Sequence, residues 1–120
     1  ATGLMVPDAL KAAEMLNQEG ISARVLNMHT VKPLDEEAVL RAARETGCIV
    51  TAEEHNVLGG LGGAVAEVVA EKCPVPVKRV GVQDSFGRSG NALELLKMYH
   101  LTAEDIAHAA REAIAAKAAR

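Results

Sequence analysis

The sequence predicts an α/β fold: a three-layer α/β/α domain with a mostly parallel, mixed sheet. Two observations carry that expectation. Segments with helical apolar spacing alternate with short runs of strand type, and the connections are brief, as in a sheet covered by helices on both faces. The 120 residues also match the common size of one domain and leave no room for two cores, so residues 1–120 are read as one unit.

Taken in order, residues 7–18 place Ala9, Ala13 and Leu16 on one helical face with Leu10 beside them, and Gly20 marks the stop. Residues 22–28 read as a short, mostly buried strand through Ala23, Val25, Leu26 and Met28. Lys32-Pro33-Leu34 turns the chain into a second helix capped by Asp35, with Val39, Leu40 and Ala43 inward and Gly47 at its end. Residues 48–52 form the next expected strand and 53–60 a loop. A third helix over 61–72 stacks Leu61, Val65, Val68, Val69 and Lys72, and Pro74 and Pro76 lead from it into a strand at 77–82. A loop at 83–91 and a short helix at 92–98 come next. The last helix is opened by Thr102 and Asp105 at capping-box spacing, carries Ile106, Ala110, Ala113 and Ile114 inward, and ends in an Ala-rich stretch expected to fray.

Composition narrows the function. Hydrophobic residues make up 49% of the chain, with one Phe, one Tyr and no Trp, so the core has to be aliphatic. Thirteen basic against 16 acidic residues give a net charge of −3 and no clustered basic footprint, which argues against a nucleic-acid partner. No apolar run approaches the roughly 20 residues that cross a bilayer, and no secretory pattern opens the chain, so no membrane partner and a cytoplasmic location are expected. Cys48 and Cys73 are far apart in apolar surroundings and read as reduced packing residues.

Two segments could carry chemistry. Residues 53–63, Glu-Glu-His-Asn-Val-Leu-Gly-Gly-Leu-Gly-Gly, follow a strand and open a helix, at the end of the sheet where open α/β folds place ligands. Glycines permit close approach and a helix N-terminus attracts anions, so either a phosphate or tight subunit packing suits the run. It lacks the third glycine of a dinucleotide fingerprint and the Walker lysine. Adjacent Glu53, Glu54 and His55 converge poorly on one metal ion, and no metal site is expected. The second segment, 81–90, offers Asp84, Ser85, Arg88 and Ser89 to an anion or a polyhydroxy ligand, with Phe86 as a packing anchor. His29, His100 and His108 have no Ser or Cys nucleophile at a recognisable spacing, so no catalytic or cofactor-binding residue is assigned. The chain also opens Ala1-Thr2-Gly3 directly before a helix, as strands end, so a first strand is expected upstream of Ala1 in a longer polypeptide.

Together, Ala1-Thr2-Gly3, Asn27-Met28-His29-Thr30-Val31-Lys32-Pro33-Leu34-Asp35, Ala52-Glu53-Glu54-His55 and Gly59-Gly60-Leu61-Gly62 resemble the C-terminal domain shared by transketolases, deoxyxylulose-phosphate synthases and 2-oxoacid dehydrogenase beta subunits. Phe86-Gly87-x-Ser89-Gly90 followed by Leu101-Thr102-Ala103-Glu104 is similar to transketolase in particular. The resemblance implies a mixed five-stranded sheet whose interior strand ends at Ala1-Thr2-Gly3. It also implies an enzyme, possessing thiamine diphosphate and a divalent metal (Mg or Ca) in upstream domains or a separate N-terminal subunit, that transfers two-carbon ketol units between sugar phosphates. This domain would bind none of those groups, would support a homodimer and active-site assembly, and alone would be inactive. Glu53, Glu54, His55, Gly59 and Gly60 then become candidates for an interface or substrate-entrance loop, and Ser85, Arg88 and Ser89 for an anion-facing loop. Two alternatives stay open: an independent phosphate- or nucleotide-binding module, and a 2-oxoacid dehydrogenase beta-subunit domain.

Overall fold

A computed structural model describes residues 1–2, 5–28, 34–56, 60–82 and 102–119, with the side chains of 54–56 and 82 excepted. The elements in order are α1 (Met5–Gln18), α2 (Glu36–Thr46), β1 (Ile49–Asn56), α3 (Leu61–Lys72), β2 (Val77–Val82) and α4 (Ala103–Ala118). The expected helix at 92–98 lies outside the described residues.

β1 and β2 pair in parallel, with Ile49 opposite Val77 and Ala52 opposite Val80. Side chains alternate across a strand, and the two faces of this sheet meet different helices. Ala52 and Val80, with Val50 beside them, join the cluster built from α1 and α4, which buries Met5, Ala12, Leu16, Ile106 and Ala107. Ile49 and Val77 pack against the cluster of α2 and α3, which buries Val39, Ala43, Leu61, Val65 and Val69. Three layers result, as the alternation of patterns implies.

The helix boundaries follow local chemistry. Asp35 Oδ1 accepts from Ala38 N at 3.1 Å at the start of α2. Gly47 ends α2 at φ +79°, a left-handed conformation that costs a side-chain-bearing residue. Lys117 lies over Gly47, and its Nζ donates to Thr46 O at 2.8 Å. The Ala-rich end of α4 therefore stays helical to Ala118, anchored on the negative end of α2. α1 begins two residues before the expected Pro7 and buries Met5, Ala9, Ala12 and Leu16, which leaves Leu10 57% exposed on the outer side.

One expected strand does not form. Among the described residues, 21–28 carry no strand ladder, and Ala1 and Thr2 lie between them and β1. The Ala1 ammonium donates to Leu26 O at 3.0 Å, Met28 N donates to Ala1 O at 2.9 Å, and Thr2 N donates to Ala52 O at 3.1 Å. These bonds have the sense of a parallel strand at its carboxyl end. At the level of the sheet lies a slot of about 420 Å³, walled by Val25 and Leu26 on one side, by Val50 and Ala52 on the other, and by both helix layers.

Candidate functional site

The carboxyl end of β1 and the start of α3 form the best-defined polar construction among the described residues. β1 continues to Asn56, with an irregularity in its pairing between Ala52 and Asn56, so part of the expected 53–60 loop is strand. Such bulges turn side chains at the end of a ladder.

α3 begins at Leu61 behind Gly60, whose lack of a side chain leaves the helix start without a cap from its own first residue. Glu53 supplies it from the strand. Its Oε1 accepts from Leu61 N at 2.8 Å and its Oε2 from Gly62 N at 2.7 Å, and the residue is only 1% exposed. Both oxygens of one carboxylate thus meet two free N–H groups at the positive end of a helix, the charge-assisted geometry that makes a buried anion tolerable. The Ala1 ammonium is pushed down in pKa by burial, and the Glu53 carboxylate acts in the opposite direction on it.

Gly62 lets this junction close. A Cβ there would lie 2.7 Å from Arg79 Cδ and 2.9 Å from Thr51 Oγ1. Thr51 itself is 2% exposed, and its hydroxyl is buried without a hydrogen-bond partner among the described residues.

Compared with known proteins, residues 1–106 match the family described as transketolase, C-terminal domain. The chain belongs to that family. This transketolase C-terminal domain is 58% identical over 112 residues to the 6-deoxy-6-sulfo-D-fructose transketolase subunit SqwH of Clostridium sp. (strain MSTE9), covering 93% of the chain and 35% of that protein. It is 50% identical over 108 residues to a putative transketolase C-terminal section of Methanocaldococcus jannaschii, covering 89% of the chain and 33% of the relative. A 1-deoxy-D-xylulose-5-phosphate synthase of Heliobacterium modesticaldum is 45% identical across 93% of the chain and 18% of its own length. Among solved structures, a split gene transketolase described as an inactive beta4 tetramer superimposes with a TM-score of 0.92 at 52% identity, over 97% of this chain and 38% of that one. The chain therefore spans between 18% and 38% of the length of these relatives.

In this transketolase C-terminal domain the sequence candidates fall into three groups. Glu53 is a strand residue, buried and committed to α3, and not part of an exposed loop. Glu54 and His55 lie in β1 with side chains outside the described set, and Gly60 is the N-cap position of α3. Gly59, Ser85, Arg88 and Ser89 lie outside the described residues. Among the described residues no three His, Cys, Asp or Glu side chains group closely enough to hold a metal ion.

The expected anion position at the glycine-rich helix start is taken by Glu53, which uses the two N–H groups a phosphate would need. Sequence reading missed this role. The available signal was a helix start of Gly59-Gly60-Leu61, with no capping side chain, preceded by a carboxylate at the end of an apolar strand.

Proposed function

We propose that this transketolase C-terminal domain is an assembly domain of a thiamine-diphosphate-dependent enzyme that moves two-carbon ketol units between sugar phosphates. The observation that carries the reading is its 0.92 TM-score and 52% identity to one part of a split gene transketolase, a structure described as an inactive tetramer of the beta component. On this reading the chain has no turnover of its own. The thiamine diphosphate and its divalent metal are held by upstream domains or by a separate N-terminal subunit.

The chain's contribution is geometric. Glu53 ties the carboxyl end of β1 to the first turn of α3, and the two helix layers hold both elements in place. A rigid edge of this kind supports the partner that carries the cofactor, and a displacement of about 1 Å in such a support can cost roughly 100-fold in rate. The reading includes a homodimer, with the carboxyl end of β1 and the start of α3 near the contact, because that is the end of the sheet where such folds meet ligands and partners. The capture of a phosphate by an independent module is disfavoured by the carboxylate already lodged at the start of α3. A 2-oxoacid dehydrogenase role has less support than a transketolase one, since the relatives named above are transketolase subunits and deoxyxylulose-phosphate synthases.

The test combines the chain with its matching upstream thiamine-binding section and measures ketol transfer from a ketose phosphate to an aldose phosphate. Activity is expected only when both parts are present. Turnover by the chain alone, or equal activity of the upstream section without it, would remove the assembly role.

A further inference from the structure

Glu53 stands out among the buried groups because it is a fully buried carboxylate whose two partners are both backbone N–H groups of another element. A carboxylate in that setting has lost its water, so it is tolerable only while both N–H groups remain aimed at it. The dependence is mutual. Leu61 N and Gly62 N have no intrahelical acceptor at the start of α3, and Gly60 provides no side chain to replace one. The distances of 2.8 and 2.7 Å are those of charge-assisted bonds.

The geometry points to Glu53 as a built-in anion that fills a small-carboxylate site at the start of α3 and so positions that helix against β1. Truncating the side chain uncovers the site: two convergent N–H donors, the positive end of a 12-residue helix, and a space the size of the removed carboxylate. Formate or acetate matches that space in charge and in its pair of oxygens. The inference concerns this chain's own residues and stands independently of the proposed ketol transfer.

The experiment compares wild-type chain with Glu53→Ala and Glu53→Gln by thermal unfolding, in chloride and in formate at matched ionic strength. Glu53→Ala is expected to lower Tm by roughly 10 °C, as the loss of two charge-assisted bonds implies. Formate should recover most of that loss in a saturable manner while leaving the wild type unchanged. Glu53→Gln turns an amide N–H toward one of the two donors, so an intermediate loss without formate response is expected. If Glu53→Ala does not fold in chloride, recovery of helical circular dichroism on refolding in formate is the equivalent readout. A Glu53→Ala chain that loses nothing, or that gains nothing from formate beyond the wild type in either readout, overturns the inference.

Discussion

Gly62 and Gly63 are neighbours on α3 with opposite surroundings, one crowded and the other open. An alanine at position 62 would press its Cβ against Thr51 Oγ1 at 2.9 Å and the Arg79 stem at 2.7 Å. Arg79 is exposed and can swing aside, but the Thr51 side chain is fixed in the sheet. Gly62→Ala is expected to cost about 1–3 kcal/mol through overpacking. Nothing lies within 4 Å of the equivalent Cβ at Gly63. There an alanine favours the helix, so Gly63→Ala should gain about 0.4–1 kcal/mol. Urea midpoints for the two variants check both signs at once. Two glycines that look alike in a Gly-Leu-Gly-Gly run thus have unlike reasons to be there, and composition alone does not separate them. The role of Glu53 was hidden for a related cause, since its partners lie across a fold and a sequence shows only neighbours along the chain.

At the scale of elements, the boundaries written in local chemistry were legible and the pairings were not. Asp35, Gly47 and the Thr102–Asp105 spacing each mark a helix end from a few residues, and each acts in the structure as the spacing implies. Thr102 accepts from Asp105 N at 3.4 Å while Asp105 Oδ2 accepts from Thr102 N at 3.2 Å. Thr102→Ala is expected to destabilise the protein by about 1 kcal/mol, seen as a lower urea midpoint at unchanged slope. A strand, by contrast, exists only beside a partner. Residues 21–28 have the composition of a strand, yet among the described residues they are tied to Ala1 by two backbone bonds and develop no ladder. The inward face of α4 was also partly misjudged: Ala103, Ala107 and Ala109 are buried along with Ile106 and Ala113. In a helix where alanine occurs on every side, apolar spacing does not point to one face.

Among the longest-range ties, α4 closes on the end of α1. Arg111 donates to Glu19 from Nε at 2.9 Å and from Nη2, joining residues 92 positions apart. Arg111 lowers the pKa of the Glu19 carboxyl, chiefly by hydrogen bonding, and Glu19 raises that of the guanidinium. Because the folded pKa of Glu19 is depressed, its contribution is present above the ordinary glutamate value of 4.5 and is lost as pH falls below it toward the folded value. The pair is exposed, so salt should weaken it as well. Stability measured from pH 6 down to about 3 is expected to fall less steeply in Glu19→Gln than in the wild type. Equal slopes would show that the pair contributes nothing to closure. The three-layer architecture was legible because alternating patterns determine layers, whereas this tie between distant surface charges left no mark in the sequence.

The packing of α1 on α4 also has a consequence for synthesis. Helix α1, with Met5, Ala9, Ala12 and Leu16 along one face, is made before α4 and buries that face partly against residues that follow Thr102. At about 5–20 residues per second, translation leaves roughly 5–20 s between the emergence of the two helices. Throughout that interval an apolar stripe lacks part of its final partner, and closing so long a loop also slows folding once α4 arrives. A host cell that produces this chain in quantity must keep that stripe shielded until α4 has left the ribosome.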